Sequence, residues 1–104
     1  AGIDRDIAVA DYERAIQTAF REVSDALSRR DSLLAQQRAL ESLVSTLEDT
    51  HRLSQARYES GIDGYLGVLV AQRELFAARQ KLVSLRLARW SNLVTLYKVL
   101  GGGA

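Results

Sequence analysis

The feature that most restricts the fold of this chain is the spacing of its apolar side chains, which recur at steps of three and four along most of the sequence. This spacing places them on one side of an α-helix, and no proline interrupts the 104 residues. One segment, residues 60–64, breaks the pattern strongly enough to reverse the chain. The sequence therefore predicts an all-α fold, a long antiparallel α-helical hairpin with coiled-coil-like packing.

The first predicted helix covers about residues 5–60, and its apolar pattern is interrupted across residues 28–32. Before the lapse the apolar face comprises Tyr12, Ile16, Phe20, Val23 and Leu27; after it the face comprises Leu33, Leu40, Leu43 or Val44, Leu47 and Leu53. Either one helix shifts its contact face at residues 28–34, or two helices meet there. The sequence leaves both alternatives open.

The turn is predicted at residues 60–64 and the returning helix at about residues 65–100. Gly61 can adopt the left-handed conformation that ends a helix, and the Asp63 carboxylate can cap the next one. The apolar face of the second helix comprises Leu66, Leu69, Phe76, Leu82, Leu85, Leu93, Leu96 and Leu100. The glycine run that follows predicts a flexible tail at residues 101–104.

Two helices alone cannot bury this much apolar surface, so we expect further helices to complete the core, either from a longer chain or from sister copies. The sequence contains no methionine and therefore no initiator, which indicates a fragment. Charge is unevenly divided: residues 1–60 carry eight Arg against eleven acids, whereas residues 65–100 carry four Arg and two Lys against Glu74 alone. Helices with these opposite biases complement each other when they pack side by side.

The sequence offers no recognisable catalytic, cofactor or metal site. There is no cysteine, and the single histidine, His51, is predicted to face solvent because a zinc site needs three or four protein ligands. No serine lies in a nucleophile motif, and residues 61–64 are too short to cradle a phosphate. We therefore predict that the chain is not an enzyme and does not bind nucleic acid.

The aromatic residues divide into two groups. Trp90 and Tyr97 lie seven residues apart and are interpreted as core or helix-interface residues. Tyr58 and Tyr65 flank the turn instead. They form either a contact surface or a staple that holds the two helix ends together, and the sequence leaves both possibilities open.

Residues 57–75 resemble the turn of a periplasmic hairpin in the TolC-like outer membrane efflux proteins. The pattern of that family is approximately R-Y-x-x-G-x-x-x-Y-L-x-V-L-D-A-Q-x-x-L, and the matching positions here are Arg57, Tyr58, Gly61, Tyr65, Leu66, Val68, Leu69, Ala71, Gln72 and Leu75. Residues 19–27 and 96–103 resemble the multidrug-efflux branch of the same family. The likeness thus covers nearly the whole chain in three separate motifs.

The resemblance implies that the chain is the C-terminal helical hairpin of a trimeric α-barrel tunnel in the periplasm. The parent would be a homotrimer held in the bacterial outer membrane by a β-barrel that these residues do not include. It would conduct exported compounds passively, with a periplasmic adaptor protein and, through it, an inner-membrane pump as partners. The alternative is a coiled-coil scaffold or adaptor module that binds a partner through its tip.

In the family, polar and charged residues near the turn narrow the tunnel entrance. The resemblance therefore makes six residues candidates for the tunnel entrance or for partner contact: Arg57, Tyr58, Gly61, Asp63, Gly64 and Tyr65. The sequence departs from the family at Val70, where an aspartate is common, and at Gly67, where some members carry an acid. Attraction of cations at this turn would then depend on Asp63 or on another hairpin.

Overall fold

The chain folds into two α-helices joined by a short turn, which confirms the predicted all-α hairpin. In the computed structural model, which describes residues 2–101, α1 spans Gly2–Glu59 and α2 spans Tyr65–Leu100. Residues 28–34 belong to α1, so the structure has one helix at this stretch. Of the tail predicted at residues 101–104, the structure describes only Gly101, whose amide donates to the Tyr97 carbonyl oxygen at 2.8 Å; the rest lies outside the described residues.

Residues 33–89 form one compact unit with a narrow core. The side chains of α2 in this core follow each other at alternating steps of three and four: Val68, Ala71, Leu75, Ala78 and Leu82. We call these five residues the inner seam. Val44 of α1 packs into the same core, with Leu40 and Leu47 partly buried beside it. This is the pattern of knobs in a coiled coil, with alanine alternating with larger side chains.

Polar side chains flank the core of this unit and join α1 to α2. The Arg79 guanidinium lies 3.6 Å from the Glu48 carboxylate, and Arg86 lies 3.9 Å from Glu41. The two pairs are seven residues apart on both helices and run in opposite directions, as one heptad of an antiparallel pair requires. The uneven charge of the sequence therefore produces contacts between the helices, although each contributes little because both partners are about half exposed.

Residues 2–32 and 90–101 belong to a second compact unit. Ala26 and Leu96 are buried there, and so is Asn92, which is 4% exposed. The Asn92 side-chain nitrogen Nδ2 donates a hydrogen bond to the Ala26 carbonyl oxygen at 3.1 Å. The bond connects α2 to the backbone of α1 and satisfies a donor that burial would otherwise penalise.

The contact faces assigned from the sequence are confirmed in part: Leu33, Val44, Leu82 and Leu96 are buried, whereas many of the other bulky residues are exposed. Residues exposed by 40% or more include Tyr12, Ile16, Phe20, Leu66, Leu69, Phe76, Leu93, Trp90, Tyr97 and Leu100. The inner seam shares Leu82 with the predicted face of α2, but its first four members lie one or two residues away from Leu66, Leu69 and Phe76. Ala71 and Ala78 allow the helix axes to approach, and in the contact they alternate with the larger Val68, Leu75 and Leu82.

His51 was also predicted wrongly, since it is half-buried and does not face solvent. Its ring nitrogen Nε2 is buried, with no hydrogen-bond partner among residues 2–101. The sequence position explains the burial: His51 follows Val44 by seven residues and therefore continues the buried side of α1.

Two further observations concern the described part of the chain. Its acidic and histidine side chains form no group of three or more that could hold a metal ion. Neither α1 nor α2 combines the length and apolar character that crossing a membrane requires.

Candidate functional site at the hairpin tip

The six candidate residues predicted from the sequence lie at the tip, residues 57–65, where α1 ends and α2 begins. The structure brings four of them together in two pairs, Arg57 with Asp63 and Tyr58 with Tyr65. The other two, Gly61 and Gly64, contribute backbone only. All six are exposed.

The backbone of the tip closes α1 with a Schellman motif. The Ile62 amide donates to the Arg57 carbonyl oxygen at 2.9 Å, and the Gly61 amide donates to the Tyr58 carbonyl oxygen at 3.0 Å. Gly61 has a φ of 76°, the left-handed conformation that this motif requires. The local sequence thus ends the helix and satisfies carbonyl groups that would otherwise lack partners.

Arg57 and Asp63 form an ion pair across the turn. The Arg57 Nε donates to one carboxylate oxygen of Asp63, and Nη2 lies 3.5 Å from the other oxygen. The Asp63 amide also approaches the Arg57 carbonyl oxygen at 3.4 Å, so the two residues interact through both side chain and backbone. The sequence predicted that Asp63 caps α2; in the structure the carboxylate binds Arg57 instead, because the turn points it back toward α1.

Tyr58 and Tyr65 pack against each other beside the turn. Their ring centroids are 5.0 Å apart and the rings are tilted by 57°. This is a favourable aromatic geometry that links the last turn of α1 to the first turn of α2. Both rings nevertheless remain more than 40% exposed, so one face of the pair is accessible to a partner. The two readings of this pair from the sequence are therefore compatible.

The Arg57–Asp63 pair predicts how the tip responds to acid. The hydrogen bond from Arg57, with its positive charge, holds the pKa of Asp63 below its ordinary value of 3.8, whereas partial burial acts in the opposite direction. Because the pKa is lowered in the folded state, the stabilisation is complete above the ordinary pKa and is lost as the pH falls through the lowered value. Carboxyl NMR titration of Asp63 should show this lowered midpoint.

The matched control for this titration is Arg57→Gln, which removes the positive charge and retains a polar side chain. We expect the midpoint of Asp63 to rise toward its ordinary value in this variant. An identical midpoint in both proteins would show that Arg57 does not hold the carboxylate.

The chain is similar to known proteins over nearly all of its length. The family model described as outer membrane efflux protein matches residues 1–102. The toluene efflux pump outer membrane protein TtgF of Pseudomonas putida is 50% identical over 99 residues, which are 95% of this chain and 21% of that protein. The outer membrane protein OprJ of Pseudomonas aeruginosa is 44% identical over 99 residues, again 95% of this chain and 21% of the relative.

A solved structure agrees with these relatives. The chain superposes on a crystal structure of CusC with a TM-score of 0.81 at 43% sequence identity, over 94% of this chain and 23% of that one. The chain thus spans about a fifth of the length of the relatives it matches. From the family match over residues 1–102 and the identity to these relatives, we conclude that the chain belongs to the outer membrane efflux protein family.

Proposed function

We propose that this hairpin forms part of the periplasmic wall of an efflux duct, which passively conducts exported compounds in a pump assembled from three kinds of protein. The observation that carries the proposal is the 50% identity, over 95% of the chain, to a protein named as the outer membrane component of a toluene efflux pump. The parent protein would be a homotrimer. Its partners would be a periplasmic adaptor and, through that adaptor, an inner-membrane pump.

The structure supports a wall element because the hairpin has little core of its own. Few side chains of residues 33–89 are buried, whereas many bulky apolar side chains are exposed. Exposed apolar side chains in this number suit a helix pair that packs against further helices. The alternative, a scaffold that binds a partner through its tip, accounts for the exposed tip but does not account for the similarity to efflux proteins.

We further propose that the tip contributes to the duct entrance or to a partner contact. Tyr58 and Tyr65 offer an exposed aromatic surface, and the neighbouring Arg57 and Asp63 cancel each other's charge. Beyond the tip, α2 carries no acid at Val70, where an aspartate is common in the family, or at Gly67, where some members carry one. Because Asp63 is paired with Arg57, we expect any attraction of cations at the entrance to depend on other acids, such as the exposed Glu59.

The test uses the full-length protein in a strain that lacks its own copy. Restoring the gene should lower the accumulation of a fluorescent efflux substrate, and Tyr58→Ala with Tyr65→Ala should weaken this effect at equal protein level in the outer membrane. Arg52→Ala is the control, because Arg52 is exposed near the tip and pairs with Asp49 at 2.9 Å on its own helix. If the unaltered gene restores no efflux, the duct proposal fails. If the double tyrosine variant restores efflux as well as the unaltered gene does, the proposed role of the two tyrosines fails.

A further inference from the structure

An open apolar groove lies between α1 and α2 in the unit formed by residues 33–89. Its volume is about 760 Å³, and small-molecule sites usually enclose roughly 300–1,000 Å³. Both helices contribute apolar side chains to the lining: Leu33, Ala39, Leu40, Leu43, Leu85 and Ala88. We call this the apolar groove. It is a concave surface that a ligand could bury without any change in the hairpin.

The length of the apolar groove limits what it can hold. On α1 the lining residues extend from Leu33 to Leu43, which corresponds to roughly 15 Å along the helix axis. A partner helix that docked along the hairpin would need a longer row of contacts at steps of three and four. The groove instead has the length of a medium-chain alkyl group or of a fused aromatic ring system. Its dimensions therefore favour a small molecule as the occupant.

Lys81 places a positive charge at one end of the apolar groove. It is the only charged residue in the lining, which contains no acid. The neighbouring cations of α2, Arg79 and Arg86, are occupied by acids of α1. Lys81, by contrast, forms no ion pair within residues 2–101. Its ammonium group is therefore available to an anion that enters the groove.

Two uncharged polar residues of α2 line the groove at the same end as Lys81. Gln80 precedes Lys81 directly, and Ser84 follows it by three residues. Residues three apart on a helix are neighbours on its surface, so the Ser84 hydroxyl lies near the ammonium group. A carboxylate or sulfate has several acceptor oxygens and can use an ammonium, a hydroxyl and an amide together. The polar end thus suits an oxyanion.

We propose that the apolar groove binds an amphipathic anion, a molecule whose alkyl or aromatic body lies against the leucines and whose carboxylate or sulfate is held by Lys81. Burial of the body supplies the affinity, and the charge fixes the orientation and disfavours cationic analogues. The inference goes beyond the proposed duct, because passive conduction requires no binding site. It is also independent of the duct, since every residue of the groove belongs to this chain.

The experiment labels the full-length protein in lipid nanodiscs with a dodecanoic acid that carries a photoreactive diazirine on its chain. Mass spectrometry then locates the labelled residues. We expect labels within residues 33–43 and 80–88, and an excess of unlabelled dodecanoate should remove them. Lys81→Gln should lower this labelling about fivefold, whereas Lys81→Arg should retain it. Lys98→Gln is the control, because Lys98 is exposed on α2 but does not line the groove.

A second pair of variants tests the shape of the groove. Ala39 is exposed on α1 and lines the groove, so Ala39→Phe should fill the space without disturbing the fold. We expect it to remove the labels of both the acid and its uncharged methyl ester, whereas Lys81→Gln should affect the acid alone. Ala35→Phe is the matched control, since Ala35 is exposed one turn earlier and lies outside the lining.

Three results would overturn the proposal. Absence of labels from the groove would mean that another part of the full-length protein covers it. Labelling that ignores both Lys81→Gln and Ala39→Phe would mean that the probe does not occupy the groove, and equal labelling by acid and ester would mean that no anion is recognised. If one of these results appears while the gene restores efflux, only this inference fails. A labelled groove in a protein that restores no efflux would instead contradict the duct alone.

Discussion

Replacing Leu82 by Ala is expected to lower the free energy of unfolding of the chain by about 2–4 kcal/mol. Leu82 is 7% exposed and packs in the core with Val44, Leu75 and Ala78. The substitution removes three buried carbon atoms and leaves a cavity in a core that has few other side chains to fill it. Urea unfolding followed by far-ultraviolet circular dichroism measures the change.

The neighbouring residue supplies the control. Val83 follows Leu82 directly and is 58% exposed, so Val83→Ala should change the stability of the chain by no more than about 0.5 kcal/mol. Equal losses in the two variants would show that the inner seam is wrongly placed and that the bulky residues form the core. The comparison therefore separates the buried side of α2 from its exposed side.

Gly61→Val is expected to destabilise the chain by about 1–2 kcal/mol or more. Gly61 has a φ of 76°, which a β-branched residue adopts only with strain, even though a Cβ atom there would meet no other atom within 4 Å. The loss thus comes from the backbone and not from a steric clash. Thermal unfolding by circular dichroism should show a lower midpoint.

Gly64→Ala is the matched variant, because Gly64 lies in the same turn without a positive φ. A Cβ at Gly64 also meets no other atom within 4 Å. We expect stability to stay the same or to rise by up to about 1 kcal/mol, since alanine restricts the unfolded chain. A loss similar to that of Gly61→Val would mean that the turn depends on glycine for some reason other than φ.

The hairpin itself could be predicted from the sequence because its determinants are local. The absence of proline, the apolar period and the single break at residues 60–64 all describe neighbours along the chain. Gly61 was identified correctly for the same reason, since the left-handed end of a helix is decided within six residues.

The buried face of α2 was predicted less successfully, because exposed and buried apolar side chains recur along α2 with the same period. Leu66, Leu69 and Phe76 are larger than Ala71 and Ala78, so a search for bulky side chains selects exposed residues in the first half of α2. The same search selects Leu82 and Leu96 correctly, because there the buried side chains are themselves bulky. The side of α2 that packs against α1 depends on how closely the two helix axes approach. This distance is a property of the helix pair and cannot be read from either helix alone. The Asn92 hydrogen bond to the Ala26 carbonyl depends in the same way on residues that are far apart in sequence.

The ion pair between Arg57 and Asp63 could not be predicted from the sequence for a related reason. Asp63 has two suitable roles, as a cap for α2 and as a partner for Arg57, and both use the same carboxylate oxygens. The Schellman turn decides between them by returning the chain toward the end of α1, where the Arg57 side chain meets it.

The hydrogen bonds and ring contact of the tip also have a consequence for binding kinetics. Residues 57–65 reach their folded geometry through contacts within the chain alone, so a protein that docks there meets a surface already in one conformation. Docking then incurs little additional loss of conformational entropy, and affinity depends mainly on how long the complex lasts. Loosening the tip should therefore weaken the complex, because ordering residues 57–65 would then oppose binding.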